Sequence, residues 1–362
     1  MFIKTLELKD YRNYDSLLLE FKNGVNILYG DNAQGKTNIL ESIYISGTTK
    51  SHKSSKDREI IKIGKDESHI RMFIERDRVV HKIDMHLKKN KPKGVAIDGI
   101  PIKKSSELFG IVNLVFFSPE DLGIIKNGPA DRRRFIDLEL CQLDKLYLYD
   151  LSNYNKIISQ RNNLLKQISF NRSLLDTLNV WDEQLVHYGN KIIERRSLFI
   201  EQLNEILYDI HSKLSGGREK LRIKYEPNVT KEEFSNKLAS TVERDIVLKM
   251  THIGPHRDDL SFLDGELDLR KYGSQGQQRT AALSLKLAEI GLVKKIIKDN
   301  PILLLDDVLS ELDRNRQNYL LDSISDIQTI ITCTGLEEFI TNRMECDKIY
   351  KVVNGTVTNE II

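Results

Sequence analysis

The chain has 362 residues, of which 40% are hydrophobic and 30% are charged, and its formal net charge at pH 7 is +2. This composition is typical of a globular protein with a full core, and the length predicts about two domains. The near-neutral charge balance means that a nucleic-acid partner must be bound by local basic clusters. No apolar run approaches the roughly 20 residues of a membrane span, and the N-terminus lacks a signal-peptide apolar block. We therefore expect a cytoplasmic protein with no membrane partner.

The first third of the chain predicts two sheets and one helix. Apolar and alternating runs indicate strands over residues 2–8, 17–21 and 25–29. Apolar residues at helical spacing predict a helix over 36–45, directly after a glycine-containing loop. Short alternating runs over 68–102 indicate antiparallel hairpins, which we expect to form a second, smaller sheet beside the first.

The middle of the chain differs in character from both ends. Glycine and proline are rare over 131–214, where charged and apolar residues alternate at helical spacing, and this predicts a helical arm interrupted near 169–179. We predict the N-terminal part of one lobe over 1–120, a helical insertion over 121–275 and the rest of the lobe over 276–362. The remaining elements that we predict are strands over 221–225, 302–305 and 329–332, helices over 231–242 and from 277, and a hairpin over 348–357.

A phosphate-binding loop follows the third strand and opens the first helix. Its glycines let successive backbone N–H groups point at the phosphates, and the helix adds its positive end. Lys36 is expected to reach the β- and γ-phosphates, and the Thr37 hydroxyl is expected to be an Mg²⁺ ligand. The strand-to-helix context favours this interpretation over a simple glycine-rich turn. The predicted ATP-binding residues are Gly30, Asp31, Asn32, Ala33, Gln34, Gly35, Lys36 and Thr37.

Two adjacent carboxylates, Asp306 and Asp307, end a short apolar run. At the carboxyl edge of a buried strand, Asp306 can hold Mg²⁺ and Asp307 can orient the attacking water, so we predict Asp307 and Lys36 as catalytic residues. The alternative is that both aspartates cap a helix.

A third polar segment contains Ser274, Gly276 and Gln277 at the predicted start of a helix. A hydroxyl and a backbone N–H at a helix N-terminus can coordinate a γ-phosphate. The alternative is an ordinary polar N-cap. If the segment binds nucleotide, we expect it to do so in a second copy of the chain, which predicts a head-to-tail homodimer.

These three segments, with the loop Ser310 to Asp313, resemble the ABC ATPase heads of the SMC kind. Other segments narrow the resemblance to the RecF family of bacterial DNA repair. They are Tyr11 to Tyr14, Thr49 to Lys53, Phe117 to Leu122, Gly128 to Asp137 and Gly254 to Asp259.

The resemblance implies an α/β fold: a P-loop ABC-type ATPase head, with a mixed sheet and a flanking antiparallel sheet, and an inserted, largely helical second domain. It implies an ATP-dependent homodimer that binds duplex DNA and single-strand to duplex junctions. It also implies cooperation with RecR and RecO in placing RecA on DNA, and support of replication restart and SOS induction. Asp307 stands where many relatives of the wider superfamily have glutamate, so slow DNA-dependent hydrolysis is expected.

Basic clusters are the candidates for DNA contact, since each can neutralise backbone phosphates. A solvated charged face is the alternative for each cluster, and the arginines are equally compatible with a role at the nucleotide or at Asp137. The candidates are Lys50, His52, Lys53, Lys56 and Arg58, the turn residues Lys88, Lys89, Lys91 and Lys93, and Arg132, Arg133 and Arg134.

Two further residues have open roles. His256 is compatible with a catalytic base beside Asp258, but a structural turn in which Arg257 pairs with an aspartate is favoured. Arg12 is compatible with a contact to nucleotide phosphates or with a surface ion pair.

Two rival functions share some of these features. An ABC transporter ATPase subunit would have the same three motifs but would lack the helical insertion. An SMC-type scaffold would need an arm far longer than the helical segment allows.

Overall fold

In the computed structural model, which describes residues 1–53, 56–335 and 346–360, contacts divide the chain into two units. The first unit combines Met1–Asp121 with Glu289–Ile362, and the second is Leu122–Ala288. The ends of the chain therefore build one unit, and the middle builds the other.

The strands are β1 (Phe2–Tyr11), β2 (Tyr14–Glu20), β3 (Val25–Tyr29), β4 (Glu67–Arg76), β5 (Val79–Lys88), β6 (Lys91–Ile97), β7 (Ile100–Pro101), β8 (Leu114–Phe117), β9 (Leu221–Glu226), β10 (Asp259–Asp264), β11 (Leu267–Asp268), β12 (Ile302–Asp306), β13 (Thr329–Cys333), β14 (Cys346–Val353) and β15 (Thr356–Glu360). The helices are α1 (Lys36–Thr48), α2 (Asp57–Ile60), α3 (Leu122–Lys126), α4 (Pro129–Leu143), α5 (Lys145–Ile168), α6 (Leu178–Ser215), α7 (Phe234–Ser240), α8 (Val242–Leu248), α9 (Leu269–Tyr272), α10 (Gln275–Ile297) and α11 (Arg314–Ser323).

The first unit contains a mostly parallel sheet in the order β15-β14-β3-β13-β12-β8. Strands β14, β3, β13, β12 and β8 are parallel, and β15 is the antiparallel edge. All five residues of β12 are buried, which is the pattern of a parallel strand covered on both faces. Because the strands are parallel, the loops that follow β3, β12 and β13 leave the sheet at the same edge.

A second sheet in this unit is antiparallel and has the order β2-β1-β4-β5-β6-β7. Helix α1 contacts strands of both sheets, and eleven of its residues are buried. The sequence predicts this helix from the spacing of its apolar residues, whereas every residue from Ile39 to Thr48 is buried, so the helix is covered on all sides. The expectation of a smaller flanking sheet is also wrong, since each sheet has six described strands.

The second unit is built around helices α5 and α6, which pack against each other as the predicted arm. Leu165, Ile168 and Leu178 form a buried apolar cluster with Ile246 of α8. The unit also contains an antiparallel sheet in the order β11-β10-β9, of which the sequence predicted β9 alone. The single helix predicted over 231–242 is two helices, which meet at Thr241.

No helix in the described ranges combines the length and the apolar character that crossing a membrane would require.

Candidate functional site

The loop between β3 and α1 has two glycines that no other residue could replace without strain. Gly30 has φ 152°, and a Cβ there would lie 2.3 Å from the backbone oxygen of Val352. Gly35 has φ 115°, and a Cβ there would lie 2.5 Å from Nδ2 of Asn13. Both positions lie in the left-handed region that glycine alone enters freely. The loop therefore curls tightly between β14 and the turn that joins β1 to β2.

Residues far away in sequence hold the loop in this shape. Nδ2 of Asn13 donates to the backbone oxygen of Gln34 at 3.0 Å. The Tyr14 hydroxyl donates to the backbone oxygen of Gly35 at 3.1 Å. The backbone N–H of Asn354, after β14, donates to Oε1 of Gln34 at 2.6 Å. Asn13 and Tyr14 lie in a segment that resembles the family, Tyr11 to Tyr14, but no role was predicted for either residue. No local pattern signals them, because the contacts depend on how distant strands pair.

Lys36 lies at the start of α1 with its ammonium group turned back into the loop. Its Nζ donates to the backbone oxygens of Gly30 at 2.6 Å and Asp31 at 3.0 Å, and the side chain is buried. Asp31, Asn32 and Ala33 are exposed at the crest of the loop. A phosphate on this loop would therefore meet backbone N–H groups and the Lys36 charge together.

Thr37 and Asp306 are 269 residues apart in sequence and touch in the structure. The Thr37 hydroxyl donates to Oδ1 of Asp306 at 2.8 Å, and the Thr332 hydroxyl donates to the same oxygen at 2.7 Å. Burial raises the pKa of Asp306, while hydrogen bonds from the two threonines and the charge of Lys53 act in the opposite direction. A hydroxyl and a carboxylate oxygen at this separation fit the oxygen ligands that Mg²⁺ prefers.

Asp307 follows Asp306, but its carboxylate does not share the threonine contacts of Asp306. Its φ of 54° is left-handed, and its N–H donates to Oγ1 of Thr332 at 3.0 Å. Its Oδ1 is buried without a hydrogen-bond partner among the described residues. Thr332, which was not among the predicted site residues, contacts both aspartates. Its hydroxyl donates to the Asp306 carboxylate and accepts from the backbone N–H of Asp307.

A buried carboxylate connects helix α1 to the residues after it. Glu41 lies one turn beyond Thr37 and accepts from Nε of Arg12 at 2.9 Å and Nη2 of Arg12 at 2.7 Å. The Ser51 hydroxyl donates to Glu41 at 2.5 Å. Burial alone would raise the pKa of Glu41, but the hydrogen bonds from Arg12 and Ser51 outweigh it and lower the pKa. Of the two roles left open for Arg12, the structure shows an ion pair, and its acceptor is buried.

The polar segment that contains Ser274, Gly276 and Gln277 belongs to the second unit and lies at the start of helix α10. The Ser274 hydroxyl accepts from the N–H of Gln277 at 3.2 Å, and Oε1 of Gln277 accepts from the N–H of Ser274 at 2.9 Å. This is a capping box. A Cβ on Gly276 would meet open space apart from Ser274 Oγ. Gln278, which the sequence analysis left without a role, is buried and donates to the backbone oxygen of Leu269 at 2.8 Å.

The first basic cluster is only partly available for phosphate contact. Lys50, Lys53, Lys56 and Arg58 are exposed, and Lys53 is the residue whose charge acts on Asp306. His52 is a correction, because both ring nitrogens are buried and its ring lies 4.2 Å from that of Phe116 between centroids. A histidine packed in this way does not present its ring to a DNA backbone.

Two of the hairpin lysines pair with carboxylates, one on β4 and one on α2. Lys93 Nζ lies 2.9 Å from Asp57, and Lys88 Nζ lies 3.7 Å from Glu67. These pairs fit the alternative of a solvated charged face.

The three arginines of α4 have three different environments. Arg132 is a second correction: its side chain is 5% exposed, and its Nε lies 2.5 Å from Oδ1 of Asp259. Nη1 of Arg133 donates to the backbone oxygen of Asp258 at 2.6 Å. Arg134 is exposed. Burial of Arg132 in an ion pair within its own unit removes it from the residues that could contact DNA.

His256 is held by two hydrogen bonds that leave it neutral. A carbonyl only accepts, so Nε2 of the ring donates to the Thr251 oxygen at 3.0 Å, and Nδ1 accepts from the Tyr154 hydroxyl at 2.8 Å. Burial lowers the pKa of His256 to about 4. The neighbouring Asp258 pairs with Arg196 at 2.8 Å, whereas the sequence favoured a turn in which Arg257 pairs with an aspartate. These contacts favour a structural role for the turn.

The pKa of His256 predicts a pH dependence of stability. Because the folded pKa is about 4 and the ordinary value is 6.5, the unfolded chain binds more protons between these values. The free energy of unfolding should therefore fall as the pH falls through this window, by up to roughly 3 kcal/mol. Urea unfolding followed by fluorescence of Trp181, the only tryptophan, would measure it. His256→Gln should remove this part of the slope, and an unchanged slope would contradict the assignment.

The fold and the site together define a P-loop ATPase head. A glycine loop, its lysine and threonine, and a carboxylate at the end of a buried parallel strand meet at one sheet edge.

Comparison with known proteins identifies the family. The model for the RecF/RecN/SMC N terminal domain matches residues 2–358. The DNA replication and repair protein RecF of Lachnoclostridium phytofermentans is 70% identical over 357 residues, covering 99% of each chain. A solved structure of the recombination mediator protein RecF-ATP in the RecFOR pathway is 36% identical, with a TM-score of 0.93, and covers 99% of this chain and 98% of that one. The chain belongs to the RecF family.

A Smc head domain from Pyrococcus furiosus shares the fold alone. It is 17% identical, with a TM-score of 0.57, and the match covers 99% of this chain and 96% of that one. Both the family resemblance and the α/β ATPase-head fold predicted from the sequence are thereby confirmed.

Proposed function

We propose that this chain is an ATP-gated DNA clamp of recombinational repair. The observation that carries the proposal is the contact between the Thr37 hydroxyl and Asp306, with Lys36 seated in the same loop. These groups come from opposite ends of the sequence, and they form the arrangement that phosphoryl transfer requires. The RecF name of the relatives and the ATP-bound RecF structure support the same function.

The nucleotide is bound by the loop from Gly30 to Thr37. The backbone N–H groups of the loop and the N-terminus of α1 receive the phosphates, and Lys36 exchanges its carbonyl partners for phosphate oxygens. Thr37 and Asp306 would hold Mg²⁺, which would supply positive charge against the phosphates.

Asp307 orients the attacking water. Its buried Oδ1 has no hydrogen-bond partner in the described part of the chain, so it can accept a proton or a hydrogen bond from water. The Thr332 hydroxyl holds its backbone, so the carboxylate is positioned before substrate arrives. Because aspartate is one methylene shorter than glutamate, we propose slow turnover that times release of DNA.

A second copy of the chain completes the site. Ser274 lies exposed at the N-terminus of the 23-residue helix α10, where backbone N–H groups favour an anion. Its hydroxyl accepts from Gln277, so its own proton is available for a γ-phosphate oxygen. Gly276 has no side chain to block the approach. We propose that these residues bind ATP on a partner, which makes dimerisation depend on ATP.

DNA binding is assigned to the basic residues that remain after the corrections, which are exposed except for the half-buried Arg133. Salt-dependent contact with duplex and junction backbones needs charges that can reach phosphates. RecR, RecO and RecA are the proposed partners, in recombinational repair, replication restart and SOS induction in the cytoplasm. The residues proposed for DNA contact are Lys50, Lys53, Lys56, Arg58, Arg133 and Arg134.

Sedimentation velocity tests the clamp. Wild type with ATP and duplex DNA should sediment as a dimer, and wild type with ADP should remain largely monomeric. Lys36→Ala should weaken nucleotide binding by about 10²-fold or more and stay monomeric, since it removes a charge on the phosphates. Lys294→Ala, which breaks a partly exposed pair with Asp326, should behave as wild type. A wild type that stays monomeric when saturated with non-hydrolysable nucleotide and DNA would overturn the proposal.

A further inference from the structure

Three metal-ligating side chains lie together on the antiparallel sheet of the first unit. His69 of β4 is directly opposite His86 of β5 in the ladder. Glu67 precedes His69 by two residues on the same strand and therefore points to the same face. None of the three belongs to the nucleotide-binding loop or to the carboxylate pair after β12.

The three side chains are close enough to share one ion. Oε2 of Glu67 lies 3.0 Å from Nε2 of His86, and Oε1 of Glu67 lies 3.9 Å from Nε2 of His69. The two imidazole rings are stacked, with centroids 4.0 Å apart. One ligand atom from each residue lies within 4.8 Å of the others, and no other group of this kind occurs in residues 1–53, 56–335 and 346–360. Because the rings are stacked, binding one ion requires rotation about the side-chain torsions so that the in-plane lone pairs converge.

We propose that Glu67, His69 and His86 bind one divalent transition-metal ion of the Zn²⁺ or Co²⁺ type. Two imidazole nitrogens and one carboxylate oxygen are a ligand set that these ions favour, whereas Mg²⁺ and Ca²⁺ favour oxygen ligands alone. Three protein ligands leave one tetrahedral position for water or another exchangeable ligand.

The surroundings are compatible with a site that opens to solvent. The side chains of Glu67, His69 and His86 are 53%, 45% and 33% exposed. Both histidines line a surface cavity of about 900 Å³, so the fourth ligand position is accessible from it. Lys88, whose Nζ lies 3.7 Å from Glu67, and Lys9, opposite His69 in the ladder, compete with a cation there. Their charges are expected to limit the affinity to a reversible range.

An ion at this position would connect neighbouring strands by bonds between side chains. The ligands come from β4 and β5, and β4 also pairs with β1, the strand that leads into Arg12 and Asn13. A bound ion would therefore stabilise the ladder beside the segment that supports the phosphate-binding loop.

Titration of the nucleotide-free, full-length chain with CoCl₂ tests the site. Co²⁺ bound by imidazole in four-coordinate geometry gives intense visible absorption, and we expect one saturable site in wild type. His86→Ala and Glu67→Gln should each weaken binding by at least about tenfold. His81→Ala is the matched control, since His81 lies on the same strand and is also 33% exposed, but it pairs with Asp98. It should leave Co²⁺ affinity unchanged.

Each result decides for or against the site. Circular dichroism and melting of the apo variants distinguish loss of ligands from loss of fold, and Glu67→Gln keeps the shape of the side chain. Displacement of Co²⁺ by ZnCl₂ should abolish the absorption. Equal loss of affinity in His81→Ala, or absorption that persists in both cluster variants, would overturn the proposal, as would no binding by wild type.

Discussion

Asp307→Asn is expected to lower the rate of ATP hydrolysis by about 10²-fold while ATP binding and ATP-dependent dimerisation persist. Asparagine has nearly the same shape, and it tolerates the left-handed φ of 54° that this position adopts. The N–H that donates to Thr332 is kept, so the geometry of Asp306 should not change. What is lost is the negative charge of the carboxylate, which can take a proton from the attacking water, whereas an amide oxygen can only accept a hydrogen bond. Phosphate release in single-turnover reactions measures the effect.

A control separates loss of the carboxylate from loss of charge in general. Asp326→Asn removes another carboxylate of the first unit. The Asp326 side chain is 64% exposed, and it pairs with Lys294 at 2.9 Å. It should hydrolyse ATP at the wild-type rate. The decisive comparison is with sedimentation: the Asp307 variant should accumulate as an ATP-bound dimer on DNA. Wild-type turnover in Asp307→Asn would assign the role of positioning water to another residue.

The nucleotide site was predictable where its chemistry is local. Gly30, Gly35 and Lys36 lie within seven consecutive residues, and the strand before them and the helix after them are clear from hydrophobic periodicity. Asp306 was predictable because its strand is continuously apolar. Its contact with Thr37 depends on the order of parallel strands, which the sequence pattern does not contain but which the family resemblance supplies.

The parts that could not be predicted depend on long-range pairing or on burial. Thr332 reaches the carboxylate pair only because β13 lies beside β12. Asn13 reaches the loop because β1 and β2 turn towards it. The sequence places Arg132 and His52 in basic segments, and only the packed structure shows that the Arg132 side chain and both ring nitrogens of His52 are buried. A basic residue in a sequence shows that a positive charge is available, but it does not show whether the side chain is exposed.

The second large expected effect concerns stability: Arg196→Met should lower the free energy of unfolding of the second unit by about 3–5 kcal/mol. Arg196 is 2% exposed. Its Nη1 donates to Asp258 at 2.8 Å and its Nη2 to Asp137 at 2.7 Å, while Nε donates to the Tyr147 hydroxyl at 3.0 Å. Methionine fills similar space but leaves two carboxylates without their cation. Urea unfolding followed by Trp181, which lies on the same helix α6, measures the loss.

The neighbouring residue supplies the control, because Arg195 lies on the same helix but its side chain is 28% exposed and pairs with the partly exposed Asp144. Arg195→Met should cost only about 0–1 kcal/mol, since partly exposed pairs are screened by water. The cost of Arg196→Met should also shrink as the pH falls. Burial raises the pKa of Asp258 even beside Arg196, so without the cation that carboxylate takes a proton more readily and its buried charge disappears. Equal costs for the two variants, or a cost for Arg196→Met that grows in acid, would show that this buried ion pair does not stabilise the unit.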